Sequence, residues 1–304
     1  MGYAEEDLFQ RLKEYQASGV EFLQLDSQSC QLKYPLDLLE IDRIRSGIPE
    51  IILSQLSSIE RHTVLDSTNS ALLNLPAEEQ HARVYLAEYQ TAGRGRFGRQ
   101  WVAPFASGLC LSLGWQFQKN IDQFQLISLL PAVAVIRTMH KIGLDEARVK
   151  WPNDVICRGH KLAGMLIEIS AKNPGVQGVV IGVGLNVYNR TEMSAQIQQP
   201  WTAIDQQLDS LPARSELAAQ LITELLRLIQ TIEQGGLTEI RNEWQCYDAL
   251  KNRSVTLING KQKQKGISRG ISEDGSLCVE INGQLKQFVS GEITLRSDEQ
   301  NTTR

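Results

Sequence analysis

The chain has 304 residues, 42% of them apolar, enough for a substantial core and inconsistent with disorder throughout. Its 31 basic and 35 acidic side chains give a formal charge of -4, so the net field does not mark a general polyanion binder and any arginine function has to be local. Five separated cysteines (Cys30, Cys110, Cys157, Cys246 and Cys278) without a CxxC pair, and four scattered histidines, exclude a disulfide framework or a zinc ribbon. No basic segment followed by an apolar run opens the chain, and its longest strongly apolar stretch, 125–136, is too short to span a bilayer. A soluble, cytoplasmic protein without a membrane partner is the expectation.

Residues 5–17 place Leu8, Leu12 and Tyr15 on one helical face, with Gly19 as the stop. Two short strands around a polar turn follow, then a linker from Pro35 into a short helix. "HTVLDSTNSALLNLP" predicts a strand ending near Asp66 and a helix beginning at Ser67 or Thr68, whose side chains can cap free backbone donors. "VYLAEYQ" and "LCLSLGWQF" read as strands on either side of an arginine-rich loop. Residues 126–143 read as a helical run with an internal proline, "ARVKWPNDVICRGHKLAGMLIEIS" as two strands around a turn, and "VQGVVIGVGLNV" as another strand. A long helix is predicted over 215–233. After Tyr247, short strands alternate with Asn259-Gly260, Asp274-Gly275 and Asn282-Gly283, dipeptides suited to hairpins, in a small all-β unit. Short strands mixed with helices define an α+β or α/β layer with a partly antiparallel sheet.

The loop "TAGRGRFGRQW" satisfies GxGxxG from Gly93 to Gly98. A dinucleotide turn, however, opens a helix and is followed about 20 residues later by an acidic residue. Here Trp101, Pro104, Ser107 and Gly108 follow, and no acidic residue stands between Glu88 and Asp122. The arginines are too local for a nucleic-acid track. A solvated charged loop and a loop enclosing an anion both remain; glycines permit close backbone approach and arginines supply rigid forks for carboxylate or phosphate.

A second stretch, 150–168, has a stiff Trp151-Pro152 turn, polar Asn153 and Asp154, and then Lys161. Asp154 reads as a charge partner for Lys161 or as an aid to a nucleotide or magnesium ion, against a plain surface turn. Gly182 and Gly184, with Asn186 beyond, make room for an adenine or sugar, or mark crowded strand packing. No GxxxxGK[ST] loop, GxSxG elbow or paired-histidine motif is present.

Taken together, "DSTNSALL" (66–73), "AEYQTAGRGRFGRQWVAPFASGLCLSL" (87–113), "KWPNDVICRGHKLAGMLIE" (150–168), "VVIGVGLNV" (179–187) and the tail 266–297 resemble the bacterial biotin protein ligase family. The resemblance implies an α+β fold: a mixed-sheet, class II synthetase-like catalytic domain over 36–248, a small C-terminal SH3-like β-barrel over 249–298, and a partial winged-helix remnant over 1–35, with 299–304 a frayed tail. It implies that biotin and ATP, with Mg2+, form biotinyl-adenylate and pyrophosphate, and that a lysine of the biotin carboxyl carrier protein of acetyl-CoA carboxylase then receives the biotin.

By the same resemblance, Ser67, Thr68, Asn69 and Gln90 look like biotin contacts, and Gly93, Arg94, Gly95 and Arg96 like the lid closing over biotin and the adenylate. Lys161 resembles the lysine beside the joined carboxyl and phosphoryl groups, with Asp154 its neighbour and a magnesium contact. Trp101 and Asn186 are expected to border the adenosine region, Gly164, Gly182 and Gly184 to allow close approach, and Arg296 to stand near the nucleotide. Residues 3–34 resemble only the last helix and wing of a winged helix-turn-helix, so autonomous DNA binding is not expected. A ligand-favoured homodimer is the implied assembly. A lipoate or octanoate ligase is the nearest alternative.

Overall fold

The computed structural model describes residues 5–25, 29–117, 124–173, 176–190, 197, 199–259, 262–290 and 294–297. Helix α1 (Glu5–Ala17) stops at Gly19, which takes the left-handed geometry that ends helices (φ 95°). Strands β1 (Phe22–Leu25) and β2 (Cys30–Leu32) then pair antiparallel. Tyr15 sets its ring edge-on to Phe105, centroids 5.1 Å apart, which seats this N-terminal part behind the arginine loop.

Two short helices, α2 (Ile41–Ser46) and α3 (Glu50–Leu53), lead to β3 (Ser58–Leu65), α4 (Thr68–Leu73), α5 (Ala77–Gln80), β4 (Arg83–Gln90) and β5 (Gly108–Phe117). Next come α6 (Phe124–Ile127), α7 (Leu130–Lys141), β6 (Ala147–Lys150), β7 (Asp154–Cys157), β8 (His160–Asn173) and β9 (Val176–Asn186), followed by α8 (Arg214–Glu233) and α9 (Leu237–Cys246). The expected helix over 126–143 is broken: Pro131 lies in the first turn of α7, where its missing N–H costs no helical bond, and not in a helix interior. Residues 147–173 form three strands where two were expected, because Arg158 and Gly159, both at positive φ, make a second turn between β7 and β8. Helix α9 was not anticipated at all.

Strands β3 to β9 form one mixed sheet in the order β3-β4-β5-β9-β8-β7-β6, parallel only between β3 and β4. Side chains alternate across a strand. On β5, Leu109, Leu111 and Leu113, and on β9, Val179, Ile181, Val183 and Leu185, enter the main core, which α7 and α8 also build. Leu217, Leu221, Leu225 and Leu228 of α8 are fully buried there, each worth about 1.5–3 kcal/mol against exposure. The intervening residues necessarily face the other way. Registers Ser112↔Gly182↔Leu166 and Cys110↔Gly184↔Gly164 therefore lay residues that are small or polar, except Leu166, on the opposite face, which becomes the floor of the site.

One ion pair fixes where β5 begins. Arg214 and Glu88, both wholly buried, meet at 2.7 Å, and the Arg214 guanidinium also donates to the carbonyls of Gly108 (2.6 and 3.0 Å) and Asp37 (2.6 Å). Glu88 is completed by the Leu39 amide at 2.7 Å. Such a pair is tolerable in a core only because its remaining hydrogen-bonding capacity is met.

Strands β10 (Ser254–Asn259), β11 (Gln262–Ile271), β12 (Leu277–Ile281), β13 (Gln284–Phe288) and β14 (Thr294–Ser297) make a separate antiparallel sheet in the order β13-β12-β11-β10-β14. Asn282 and Gly283 have φ of 52° and 77°, as a two-residue hairpin of this twist demands. Gly260 of the expected Asn259-Gly260 turn and the tail 299–304 lie outside the described residues. The Trp151 indole donates to the Gly275 carbonyl (3.3 Å) and Ser276 to the Gln125 side chain (3.1 Å), so this sheet abuts the turn that leads into β7. No described helix is long and apolar enough to cross a membrane.

Candidate active site

A cavity of about 1010 Å³ lies on the sheet face away from α7 and α8. Residues 67–69, Gln90, the loop 94–102, the turn 150–154, Lys161 and Gly164, and Gly182, Gly184 and Asn186 line it. It thus gathers segments that the sequence keeps far apart. Gly93 lies behind its wall, where its carbonyl accepts from the Trp101 amide at 2.9 Å and closes the base of the loop. Arg296 stands on β14 opposite Thr256, and its side chain lies outside the described residues.

One end is a buried polar array. Ser67 caps α4 by accepting from the Ser70 amide (3.4 Å), which fixes the entry of Thr68 and Asn69 onto the sheet. The Gln90 carbonyl oxygen accepts from the Thr68 amide at 2.8 Å and its hydroxyl at 3.2 Å. Ser112, fully buried on β5, donates to Asn69 Oδ1 at 2.5 Å and lies 2.7 Å from Thr68 Oγ1. Asn69 Nδ2 then donates to the Leu166 carbonyl (3.2 Å) and to Glu168 (3.0 Å). Groups satisfied this completely cannot rotate freely, so their remaining hydrogen-bonding positions have a fixed direction. Ser112 and Glu168 escaped the sequence reading because each is a single polar residue in a strand, given partners only by register.

The loop is tied into one conformation by Gly95 donating to the Arg99 carbonyl (2.7 Å) and Arg99 to that of Arg96 (3.2 Å), around a single 3-10 turn, Arg96–Gly98. Phe97 sits at its tip, exposed and at φ 57°. Arg96 turns inward: burial lowers its guanidinium below the usual arginine range, the Asp154 carboxylate opposes that shift, and Arg99 adds to it. Arg94 forms a bidentate pair with Glu168, at 2.8 and 3.2 Å.

At the other end, Lys161 Nζ lies 2.7 Å from Asp154 Oδ1, and both side chains are largely covered. The same ammonium sits 5.6 Å from the centre of the Trp101 ring, within cation–π range. Asn153 holds the turn by donating to the Met165 carbonyl (2.7 Å). Asn186 donates to the carbonyls of Thr202 (3.0 Å) and Lys161 (3.4 Å), so it secures the backbone beneath the lysine. The glycines make room for the protein's own side chains: a methyl at Gly184 would overlap the Trp101 indole, and one at Gly182 would overlap the Asn69 amide. Cys110, on the floor, is pushed up to about 11 by burial, so it stays a thiol and offers no nucleophile at neutral pH. Lys263 and Trp201 also reach the cavity and were not foreseen.

The described residues contain no group of three or more His, Cys, Asp or Glu able to hold a metal.

The site sets a floor made mostly of small residues under a loop bearing three arginines, beside a separate antiparallel sheet, a cavity suited to an anionic ligand; comparison with known proteins supplies its class. The sequence model described as the biotin/lipoate A/B protein ligase family matches residues 62–186, and that described as the biotin protein ligase C terminal domain matches 252–296. The bifunctional ligase/repressor BirA of Escherichia coli is 36% identical over 283 residues, 92% of this chain and 85% of that protein. The biotin--[acetyl-CoA-carboxylase] ligase of Mycobacterium tuberculosis is 31% identical over 235 residues, 75% of this chain and 85% of its own length. Among solved structures, biotin protein ligase from Aquifex aeolicus in complex with biotin and ATP superposes with a TM-score of 0.70 at 24% identity, over 80% of this chain and 100% of that one, which shows the shared fold. The chain belongs to the biotin protein ligase family and is a biotin ligase enzyme.

Proposed function

We propose that this enzyme activates biotin with ATP and then transfers it to the biotin carboxyl carrier protein of acetyl-CoA carboxylase. The observation that carries the reading is the convergence of Arg94, Arg96 and Lys161, from two distant segments, on one cavity that also holds a buried amide and hydroxyl array, which lies beside Arg94 and away from Lys161. In the first step the biotin carboxylate attacks the α-phosphorus of ATP, the bond to the pyrophosphate breaks, and biotinyl-adenylate forms. Both reactants are anions, so their approach needs positive charge already in place. Lys161, steadied by Asp154, supplies it at the reacting oxygens, and Arg94 and Arg96 supply it from the lid. In the second step the carrier lysine attacks the mixed anhydride, an amide forms and AMP leaves; the lid keeps water from the anhydride meanwhile.

Ser67, Thr68, Asn69 and Gln90 are assigned to the polar ring of biotin. That assignment favours biotin over lipoate, whose dithiolane ring would leave these groups without partners. Trp101 and Asn186 are assigned to the adenosine side, with Gly93, Gly95, Gly164, Gly182 and Gly184 shaping the loop and the floor and Arg296 beside the nucleotide. Asp154 is assigned to the magnesium that accompanies ATP. We divide the chain into residues 1–35, a partial winged-helix unit; 36–248, a class II synthetase-like catalytic domain; and 249–298, an SH3-like β unit. We place its action in the cytoplasm, with a ligand-favoured homodimer formed through an open edge of the catalytic sheet.

The test is incubation with ATP, magnesium, a carrier domain and either biotin or lipoate, followed by mass measurement of the carrier. The mass of one biotinyl group is expected at a single lysine, and only when every component is present. Modification by lipoate in place of biotin, or none at all, would reject the reading.

A further inference from the structure

The cavity is strongly cationic. Arg94, Arg96, Arg99, Lys150, Lys161 and Lys263 line it, and Asp154 is the one acid among its described lining residues. That acid is already engaged by Lys161, at 2.7 Å. The first five cations come from the catalytic sheet and its loops, whereas Lys263 comes from the separate antiparallel sheet. It stands on β11 opposite Ile258 of β10, exposed to solvent while still lining the cavity, as a residue at the mouth does. Lys265 lies two residues on along the same strand, opposite Thr256, and Thr256 is in turn opposite Arg296 of β14. The hydrogen bonds from Trp151 to Gly275 and from Ser276 to Gln125 hold this sheet beside the cavity.

In the reaction proposed above, Lys161 and the loop arginines serve the carboxylate and the α-phosphoryl group. The β and γ phosphates carry most of the charge of ATP, and they are also the part that leaves. When the biotin oxygen bonds to the α-phosphorus, the bond from that phosphorus to the bridging oxygen breaks, and its electron pair stays with pyrophosphate. Negative charge grows on that fragment, and an ammonium placed beside it lowers the barrier without any proton being transferred. A lysine suits this task at a solvated mouth, because it is a point charge on a flexible stem and demands no fixed fork geometry of the phosphates. We infer that Lys263 binds the β and γ phosphates of ATP and the departing pyrophosphate. Lys263 then serves the first half-reaction and not the second, since the anhydride passed to the carrier lysine holds only the α-phosphate. The identity of the polyphosphate as ATP rests on the biotin ligase reading above; the surplus of positive charge in the cavity does not.

The experiment uses the full chain and its Lys263→Gln and Lys263→Arg variants, with Lys286→Gln as a control that removes the same charge from the exposed strand β13. In biotin-dependent pyrophosphate exchange, K263Q is expected to raise KM for ATP and for pyrophosphate about two- to fivefold, the range of a partly exposed charge pair. K263R keeps the charge and is expected to stay near the parent values, as is K286Q. Transfer from preformed biotinyl-adenylate to the carrier, and biotin affinity by calorimetry, are expected to be unchanged in all three. Unchanged KM values in K263Q, the same rise in K286Q, a K263R as impaired as K263Q, or an equal loss in the transfer step would each overturn the assignment. A raised KM for the carrier in place of ATP would overturn it too, by moving Lys263 to a surface that meets protein. If the parent protein showed no biotin-dependent exchange at all, the functional reading would fall, and calorimetry of magnesium pyrophosphate with parent and K263Q would still decide whether Lys263 meets a polyphosphate.

Discussion

Lys161 and Asp154 meet at 2.7 Å between β8 and β7, in a cavity where the lysine also faces Trp101. The carboxylate orients the ammonium and the indole limits its travel, so the charge is held in place before any substrate arrives. Lys161→Ala is expected to lower biotin-dependent pyrophosphate exchange by about 10²–10³, the usual cost of removing one preorganised stabiliser. Biotin affinity by calorimetry is expected to stay near the parent value, since the array that holds the ring lies at the other end. Exchange at the parent rate would remove Lys161 from the proposed mechanism.

Gly184 has no room for a side chain, because the Trp101 indole occupies it. Gly184→Ala is expected to push the ring off the floor, to cost about 1–3 kcal/mol in urea unfolding, and to weaken ATP binding. The displaced indole is also expected to change the intrinsic fluorescence of the folded protein. A variant with parent stability, spectrum and nucleotide affinity would contradict this packing.

The Arg214–Glu88 pair, wholly buried, anchors the start of β5. Arg214→Met removes the buried partner of Glu88 and leaves it only the Leu39 amide and the more distant Arg61, 3.8 Å away, for an expected loss of about 3–5 kcal/mol in denaturant unfolding. Adding Glu88→Leu is expected to recover part of that loss. If the double variant were as unstable as the sum of the single changes predicts, or more so, the pair would not be coupled as described.

Burial raises Asp248 from its usual 3.8 to about 6, against the Leu250 amide and Lys251, which pull it down. Its folded-state value lies above its unfolded one, so between roughly pH 4 and 6 the folded chain binds the extra proton. Stability from this group is therefore full at the acid end of that window and falls as pH rises, by about 3 kcal/mol in total. Asp248→Asn is expected to flatten the fall and to be the more stable form at pH 7. Parallel curves of unfolding free energy against pH for the two proteins would show that Asp248 is not the titrating group.

The place of the loop was legible because its composition is local: arginines and glycines stand between two apolar stretches, which are β4 and β5. Ser67 to Asn69 were legible as a helix cap. Ser112 and Glu168 were not, since a lone serine or glutamate in a strand acquires meaning only from the residue that register sets across from it. Gly182 and Gly184 gave a true signal of close approach but not of what approaches. Trp101 and Asn69, which fill that space, come from segments some 80 and 110 residues away along the chain, as the sequence itself counts. The split between α6 and α7 was hidden because an apolar stretch around a proline looks alike whether the proline begins a helix or interrupts one.

The Trp151 side chain is the floor's link to the last sheet: its ring lines the cavity while its N–H is spent on the Gly275 carbonyl. One aromatic residue therefore answers to two neighbourhoods. A displacement of the Gly275 turn is therefore transmitted, through one indole, to the turn that carries Asn153 and Asp154.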